Sequence, residues 1–263
     1  MDAEKFYDNQ SDYEAFRKNP VKREEYTIIA DWKARQLQKL VPDSKHFNNI
    51  LEIGCAMGIL LNNLSGRLLI SESTGLDISS ENIRMARELF PESWFFQGTI
   101  DDFSGPIAHN FQFSKFDLVM LSDIVEHIPD DKKFMKDVRE ISSHVLINLP
   151  LEKCFRNRNR KYGENDPSGH LHCYDEKMAN ELIINAGYKI VNSFVVNACS
   201  DKTYLSLYRR IRNARVNKKP FHLNLFWKGF YMIEDRLKLM HKGLSVRIFG
   251  ANYFALLNSN TGK

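Results

Sequence analysis

The sequence predicts an α/β fold: a mostly parallel sheet of seven strands, with helices on both faces and a helical insertion before the last strand. Three features point there. Short apolar runs alternate with helix-length segments, the first run ends at a glycine-bearing turn, and a strongly basic helical stretch interrupts the alternation near the C-terminus. Strands separated by helices require crossover connections, which join parallel neighbours.

Each element follows from local pattern. Residues 21–41 repeat apolar side chains at helical spacing and stop before Pro42. Asn49–Ile53 is a short apolar run ending at Gly54, as a buried strand does. Ile59, Leu60, Leu61 and Leu64 then suit the packed face of a helix that closes near Gly66. A second strand fits 69–76, a helix 80–90 ends at Pro91, and Trp94–Gln97 reads as a third strand. A fourth spans 116–121, followed by a helix over Asp131–Ile141 and a fifth strand over 145–149, stopped by Pro150. Residues 151–174 are polar and turn-rich, a long loop. Regularity returns with a helix at 175–186 that Gly187 can cap, a strand at 188–196, two basic amphipathic helices across 204–242 joined near Pro220, and a last strand at 251–257. The organisation is an N-terminal helical segment (1–48), a main domain (49–200 with 248–259) and a basic helical insertion (201–247).

Composition narrows the class. Of 263 residues, 43% are hydrophobic and 27% charged, ordinary for a globular chain. The formal charge of +4 is uneven: the stretch 202–247 holds twelve Lys or Arg against Glu234 and Asp235. The N-terminus is acidic and polar, unlike a secretory signal, and no run approaches the roughly 18 apolar residues of a membrane span. Four separated cysteines with no C-x-x-C pair fit reduced thiols, so a cytoplasmic location is expected.

The turn Glu52-Ile53-Gly54-Cys55-Ala56-Met57-Gly58 lies where a strand becomes a helix, at the strand end where open α/β sheets bind ligands. Glycine there permits a tight turn and close ligand approach. Asp77 ends the second strand, placed to accept both hydroxyls of a ribose. A dinucleotide fingerprint counted from Gly54 needs glycine at positions held by Ala56 and Ile59, and no G-K-S or G-K-T follows to cradle phosphates. A cofactor with ribose and adenine but no phosphate fits better: S-adenosylmethionine.

The segments LEIGCAMG, GLDIS, FQGTIDDF, FDLVMLSDIVEHIPD and VLINLP, in this order over about 48–198, resemble the successive motifs of the class I S-adenosylmethionine-dependent methyltransferases, and 251–257 resembles that family's closing strand. The resemblance implies a Rossmann-like sheet. It places Glu52, Gly54, Cys55 and Gly58 along the methionine part, Asp77 on the ribose, Ile78 against the adenine, Thr99 and Ile100 at the adenine edge, and Leu121 and Ser122 toward the sulfonium. The chain departs from the family at Ala56, where a second glycine is usual, and at Thr99, where an acid is common.

Methyl transfer mainly requires a nucleophile aligned behind an already electrophilic carbon. His127, in Val125-Glu126-His127-Ile128-Pro129, follows the fourth strand and is a candidate general base; ordering of the loop is its plainer role. His170 and His172 alternate in Gly169–Tyr174 and so share one side of an extended chain, as acceptor contacts or proton carriers. With His127 or Asp123 they could ligate a metal, yet H-x-H alone is weak and no metal is expected.

The expected acceptor is a small molecule or glycan precursor, methylated on oxygen or nitrogen. The basic insertion is read as a lid, which suits an anionic acceptor. Interleaved aromatic and basic residues also allow membrane-surface contact through 204–242 or RNA methylation through 202–247, though no nucleic-acid module is recognisable. A cofactor-binding scaffold without turnover is the remaining alternative.

Overall fold

The computed structural model describes residues 3–8, 14, 16, 18–101, 116–217, 221–240 and 242–259. Its strands are β1 (Asn49–Ile53), β2 (Glu72–Asp77), β3 (Trp94–Gln97), β4 (Leu118–Ser122), β5 (His144–Leu151), β6 (Lys189–Val196) and β7 (Ala251–Asn258). Its described helices are α1 (Ala3–Asp8), α2 (Pro20–Gln38), α3 (Ile59–Leu68), α4 (Ser80–Leu89), α5 (Asp131–Ile141), α6 (Glu176–Asn185), α7 (Lys202–Val216), α8 (Phe221–Met240) and α9 (Lys242–Phe249). They form the expected α/β architecture. The sheet runs β3-β2-β1-β4-β5-β7-β6, and β7 alone is antiparallel to its neighbours.

Both faces of the sheet are covered, so its central strands are buried throughout; β1 and β4 have every residue buried. Leu51, Leu121, Val145 and Ile147 face one layer, with Phe134, Met135 and Val138 of α5 and Leu182 and Ile183 of α6. Alternate residues Ile50, Met120 and Leu146 face the other, with Trp32 and Leu37 of α2, Leu61 and Leu64 of α3, and Ile83 of α4. The segment before residue 49 is therefore part of this core. Asn19 starts α2, its side chain accepting from Val21 N at 2.9 Å with Pro20 in the first turn.

Three boundaries differ from expectation for local reasons. α3 passes Gly66 and ends at Leu68, because Leu69 takes the left-handed conformation (φ 56°) that closes the helix, and β2 starts only at Glu72. β5 runs through Pro150 to Leu151. Asn148 faces β4, accepting from Asp123 N at 3.1 Å; Pro150, two residues on, turns its nitrogen to the same side, where β4 has ended, and no ladder bond is lost. Among the described residues α7 and α8 occupy the 204–242 span and a third helix, α9, follows them; the joint near Pro220 and the end of the FQGTIDDF motif fall outside the described residues.

Within the insertion, Asp235 receives Arg212 through two bonds (2.8 and 3.0 Å) and Arg209 at 2.8 Å, while Glu234 receives Arg156 at 2.9 Å. Among the described residues no helix is long and apolar enough to cross a membrane.

Candidate functional site

The chain after β1 adopts left-handed conformation at alternate residues, Gly54 (φ 77°), Ala56 (φ 45°) and Gly58 (φ 74°). This coil turns successive N–H groups inward. Gly54 N and Cys55 N donate to Leu76 O at 2.7 and 3.0 Å, and Ala56 N donates to Asp77 Oδ2 at 2.8 Å. The other oxygen of Asp77 accepts from Ser79 N at 2.9 Å. One carboxylate thus ties the turn after β1 to the turn after β2. Burial raises the Asp77 pKa above its ordinary value, with the two backbone donors opposing the rise. A Cβ on Gly54 would stand 2.9 Å from Ile124 Cδ1, so a side chain here would fill the crevice wall.

A cavity of about 400 Å³ opens at these strand ends, a size ordinary for small-molecule sites. Of the residues the sequence singles out, Gly54, Asp77, Ile78, Thr99, Ile100 and His127 line it. Glu52, Cys55, Gly58, Leu121 and Ser122 do not. Glu52 is buried within β1 with Oε2 unpartnered, and burial pushes its pKa well above the usual range. Cys55 turns its thiol into the core, where burial raises its pKa. Gly58 is needed for packing, since a Cβ there would lie 2.7 Å from the Phe95 ring. Leu121 and Ser122 are buried in the sheet. The chain bends immediately after them at Asp123 (φ 50°), so Asp123 and Ile124 reach the cavity instead. Asp123 is ion-paired with Lys33 of α2 and accepts from Asn148 Nδ2 at 3.0 Å.

The wall nearest the N-terminus is one the sequence did not reveal. Tyr7 of α1 lines the cavity, its ring edge-on to His127 at 5.9 Å between centroids. Asp8 pins α1 to the start of α4, accepting from Ser79 Oγ at 2.5 Å and Glu81 N at 3.4 Å. No described residue of 201–247, the insertion read as a lid, lines the cavity, whereas Tyr7 of α1 does.

Opposite the Asp77 end, a short helical turn over Val125–His127 carries His127. Its Nδ1 lies 3.0 Å from Gly169 O; a carbonyl can only accept, so Nδ1 bears the hydrogen and Nε2 the lone pair. Burial, then His170, pushes the His127 pKa down to about 4. His170 packs perpendicular to His127 at 4.7 Å between ring centroids, its Nδ1 2.7 Å from Glu152 Oε2. His172 diverges from it, donating from Nε2 to Ile128 O at 2.8 Å, which orders the loop. Neither His170 nor His172 lines the cavity itself. Between the His127 turn and the loop that carries His170 lies Glu126, buried, with both carboxylate oxygens unpartnered and its pKa raised well above the ordinary range by burial.

Residues 22–193 match the sequence family described as Methyltransferase domain. The chain belongs to that family. No curated protein sequence matches this methyltransferase significantly. Solved structures share its fold at low identity. A chain from the complex of the Haloferax volcanii Trm112 methyltransferase activator is 13% identical with a TM-score of 0.61, covering 97% of this chain and 98% of that one. The [4+2]-cyclase SpnF is 11% identical at 0.56, covering 88% and 81%. Haemonchus contortus phosphoethanolamine N-methyltransferase 2, in complex with phosphomonomethylethanolamine and S-adenosylhomocysteine, is 15% identical at 0.54, covering 87% and 52%.

The cofactor of this methyltransferase is S-adenosylmethionine, and the residues present fit it. Asp77 accepts one backbone N–H on each oxygen, and a carboxylate offers four lone pairs, so it retains acceptor capacity for ribose hydroxyls. Ile78 and Ile100 offer apolar walls to an adenine, and the missing Cβ of Gly54 leaves room beside Ile124.

Proposed function

We propose that this enzyme transfers the methyl group of S-adenosylmethionine to an oxygen or nitrogen atom of a small molecule, a sugar or glycan precursor among the candidates. Asp77, Ile78, Thr99 and Ile100 hold the adenosine, and the Gly54–Gly58 turn backs the methionine part. The acceptor enters the end bounded by Tyr7, Asp123 and His127.

The observation that carries this reading is the His127 lone pair, fixed by the Gly169 carbonyl and set in the cavity wall opposite Asp77. There it can hydrogen-bond an acceptor O–H or N–H and orient its nucleophilic atom. As the new bond to carbon forms, the C–S bond breaks and its electrons remain on sulfur. A neutral thioether results, and the acceptor's proton leaves through the cavity.

Charge at the mouth favours an uncharged acceptor over the anionic one anticipated from the basic insertion. Asp101, Asp130 and Asp137 border the cavity, and Lys133 is paired with Asp137 at 2.7 Å. Arg209 and Arg212 are engaged by Asp235, and Arg210 by Glu24 at 3.1 Å, which weakens the case for an RNA-binding face.

Calorimetric titration with S-adenosylmethionine, followed by a methyl-transfer screen over hydroxylated and amino acceptors, tests the reading. Saturable one-to-one binding with transfer to a small acceptor is expected. A folded protein that ignores millimolar cofactor would end it; salt-sensitive methylation of RNA alone would replace the acceptor class.

A further inference from the structure

Three side chains at the acceptor end share an arrangement of which the methyl-transfer reading uses only the His127 lone pair. His127 donates Nδ1–H to Gly169 O, so its Nε2 lone pair is available, 3.8 Å from Glu126 Oε1. His170 presents Nδ1 to Glu152 Oε2 at 2.7 Å; a carboxylate accepts, so the hydrogen sits on Nδ1 and Nε2 keeps its lone pair. Glu152 is itself fixed by Arg160 at 2.8 Å. One potential ligand atom from each of Glu126, His127 and His170 lies within 4.8 Å of the other two. Glu126 is 1% exposed, and neither of its carboxylate oxygens has a hydrogen-bond partner. A buried carboxylate with no partner is strongly unfavourable, and a cation is a partner that satisfies it.

The backbone holds the three together. Glu126 O accepts from Leu171 N at 2.8 Å and His172 N at 3.1 Å, locking the His127 turn to the loop that carries His170. Histidines that bind metals commonly donate their second ring N–H to a carboxylate or a backbone carbonyl, and this pair shows one of each.

We propose that Glu126, His127 and His170 form a binding site for a divalent transition-metal ion at the acceptor end of the cavity. Two imidazoles and one carboxylate select zinc, cobalt, iron(II), manganese or nickel over magnesium and calcium, which prefer all-oxygen sets. Three protein ligands leave a coordination position for water or substrate. His127 lines the cavity, so that position is reached from the acceptor side. This deepens the methyltransferase reading and rests on it only for the ion's role. With the His127 lone pair on the ion, the ion rather than Nε2 itself holds the acceptor hydroxyl and eases loss of its proton to solvent. The oxygen then bonds to the methyl carbon as the C–S pair passes to sulfur.

The binding is tested without cofactor. Protein stripped with chelator and titrated with Co²⁺ is expected to take up one equivalent, giving the visible absorption bands of imidazole-ligated cobalt, and Zn²⁺ should displace it. Glu126→Gln and His170→Asn should each weaken uptake by about 100-fold, and Glu152→Gln, which only orients His170, by about 10-fold. S-adenosylmethionine affinity, measured separately by calorimetry, should be retained in all three. A wild-type protein that binds neither ion at micromolar concentration overturns the proposal. So do Glu126→Gln and His170→Asn variants that bind as tightly as wild type. If the Glu126 variant fails to fold, the wild-type cobalt spectrum and Glu152→Gln still decide. Loss of cofactor binding with metal uptake intact counts against the methyltransferase reading and leaves the ion in place.

Discussion

At the Asp77 end of the cavity, contacts come from strand termini and the turns directly after them, and one carboxylate fastens two of those turns through backbone N–H groups 2.8 and 2.9 Å away. At the His127 end, the wall comes from pieces distant in sequence, α1 and the turn after β4, and the loop that carries Gly169 and His170 backs it from behind. The first end is built by the sheet itself. The second is hung on the sheet by hydrogen bonds between side chains and loop carbonyls. Affinity for cofactor should therefore depend on the first end and turnover on the second, and the two should be separable by mutation.

The largest expected effect is on turnover. His127→Ala removes the lone pair at the acceptor end, and kcat should fall by about 10²-fold or more, while the Kd for S-adenosylmethionine stays close to wild type. Steady-state kinetics beside calorimetry measure both. A matching loss in affinity would show that the two ends are not independent.

Asp77→Ala is the converse. It deletes the acceptor for the ribose hydroxyls and the anchor of Ala56 N and Ser79 N, so cofactor affinity should drop by roughly 100-fold, about 2–3 kcal/mol. Unchanged affinity would remove Asp77 from the ribose. The same residue sets a pH dependence. Its pKa is raised by burial, so on acidification the carboxylate takes up a proton at a higher pH than an ordinary aspartate does. The protonated form accepts less well, and Kd should begin to rise above the usual aspartate range. In Asp77→Asn that acid-side rise should be absent. Titrations stepped from pH 8 toward pH 4 show which occurs.

The asymmetry also explains what could be read from the sequence. Strand ends announce themselves: an apolar run, a glycine-bearing turn and an acid at the close of the next run pointed to Gly54 and Asp77, and the family resemblance added Ile78; all three line the cavity. The misplacements come from backbone and burial that no pattern encodes. Asp123 adopts a left-handed conformation with no glycine to signal it, so the cavity wall falls one step beyond Leu121 and Ser122. Cys55 sits in the right turn but points into the core. Tyr7 lies in a polar N-terminal stretch too short to show periodicity, and its docking depends on Asp8 meeting α4, more than seventy residues away. Glu126 looks like any acid beside a histidine; only its burial between two loops sets it apart.

The smallest effect concerns strain rather than contacts. Ala56 and Leu69 are both non-glycine residues in left-handed conformation, which costs an L-residue roughly 1–2 kcal/mol. Leu69 closes α3 far from the cavity and is 88% exposed, so its side chain contributes little packing. Leu69→Gly suits a helix-terminating position. Part of its gain is offset by the greater freedom of glycine in the unfolded chain. A net gain near 1 kcal/mol should raise Tm by about 2 °C, with Kd and kcat unchanged. Ala56→Gly relieves similar strain inside the cofactor turn, and the Asp77 carboxylate still holds the residue 56 N–H in that variant. Its Tm should therefore rise to a similar extent. Any weakening of cofactor binding should be no more than a few-fold, because the turn is fixed by its hydrogen bonds rather than by the methyl group of Ala56. A large loss of affinity in Ala56→Gly alone would mean that the stiffness of this turn, and not only the carboxylate behind it, sets how the cofactor end binds.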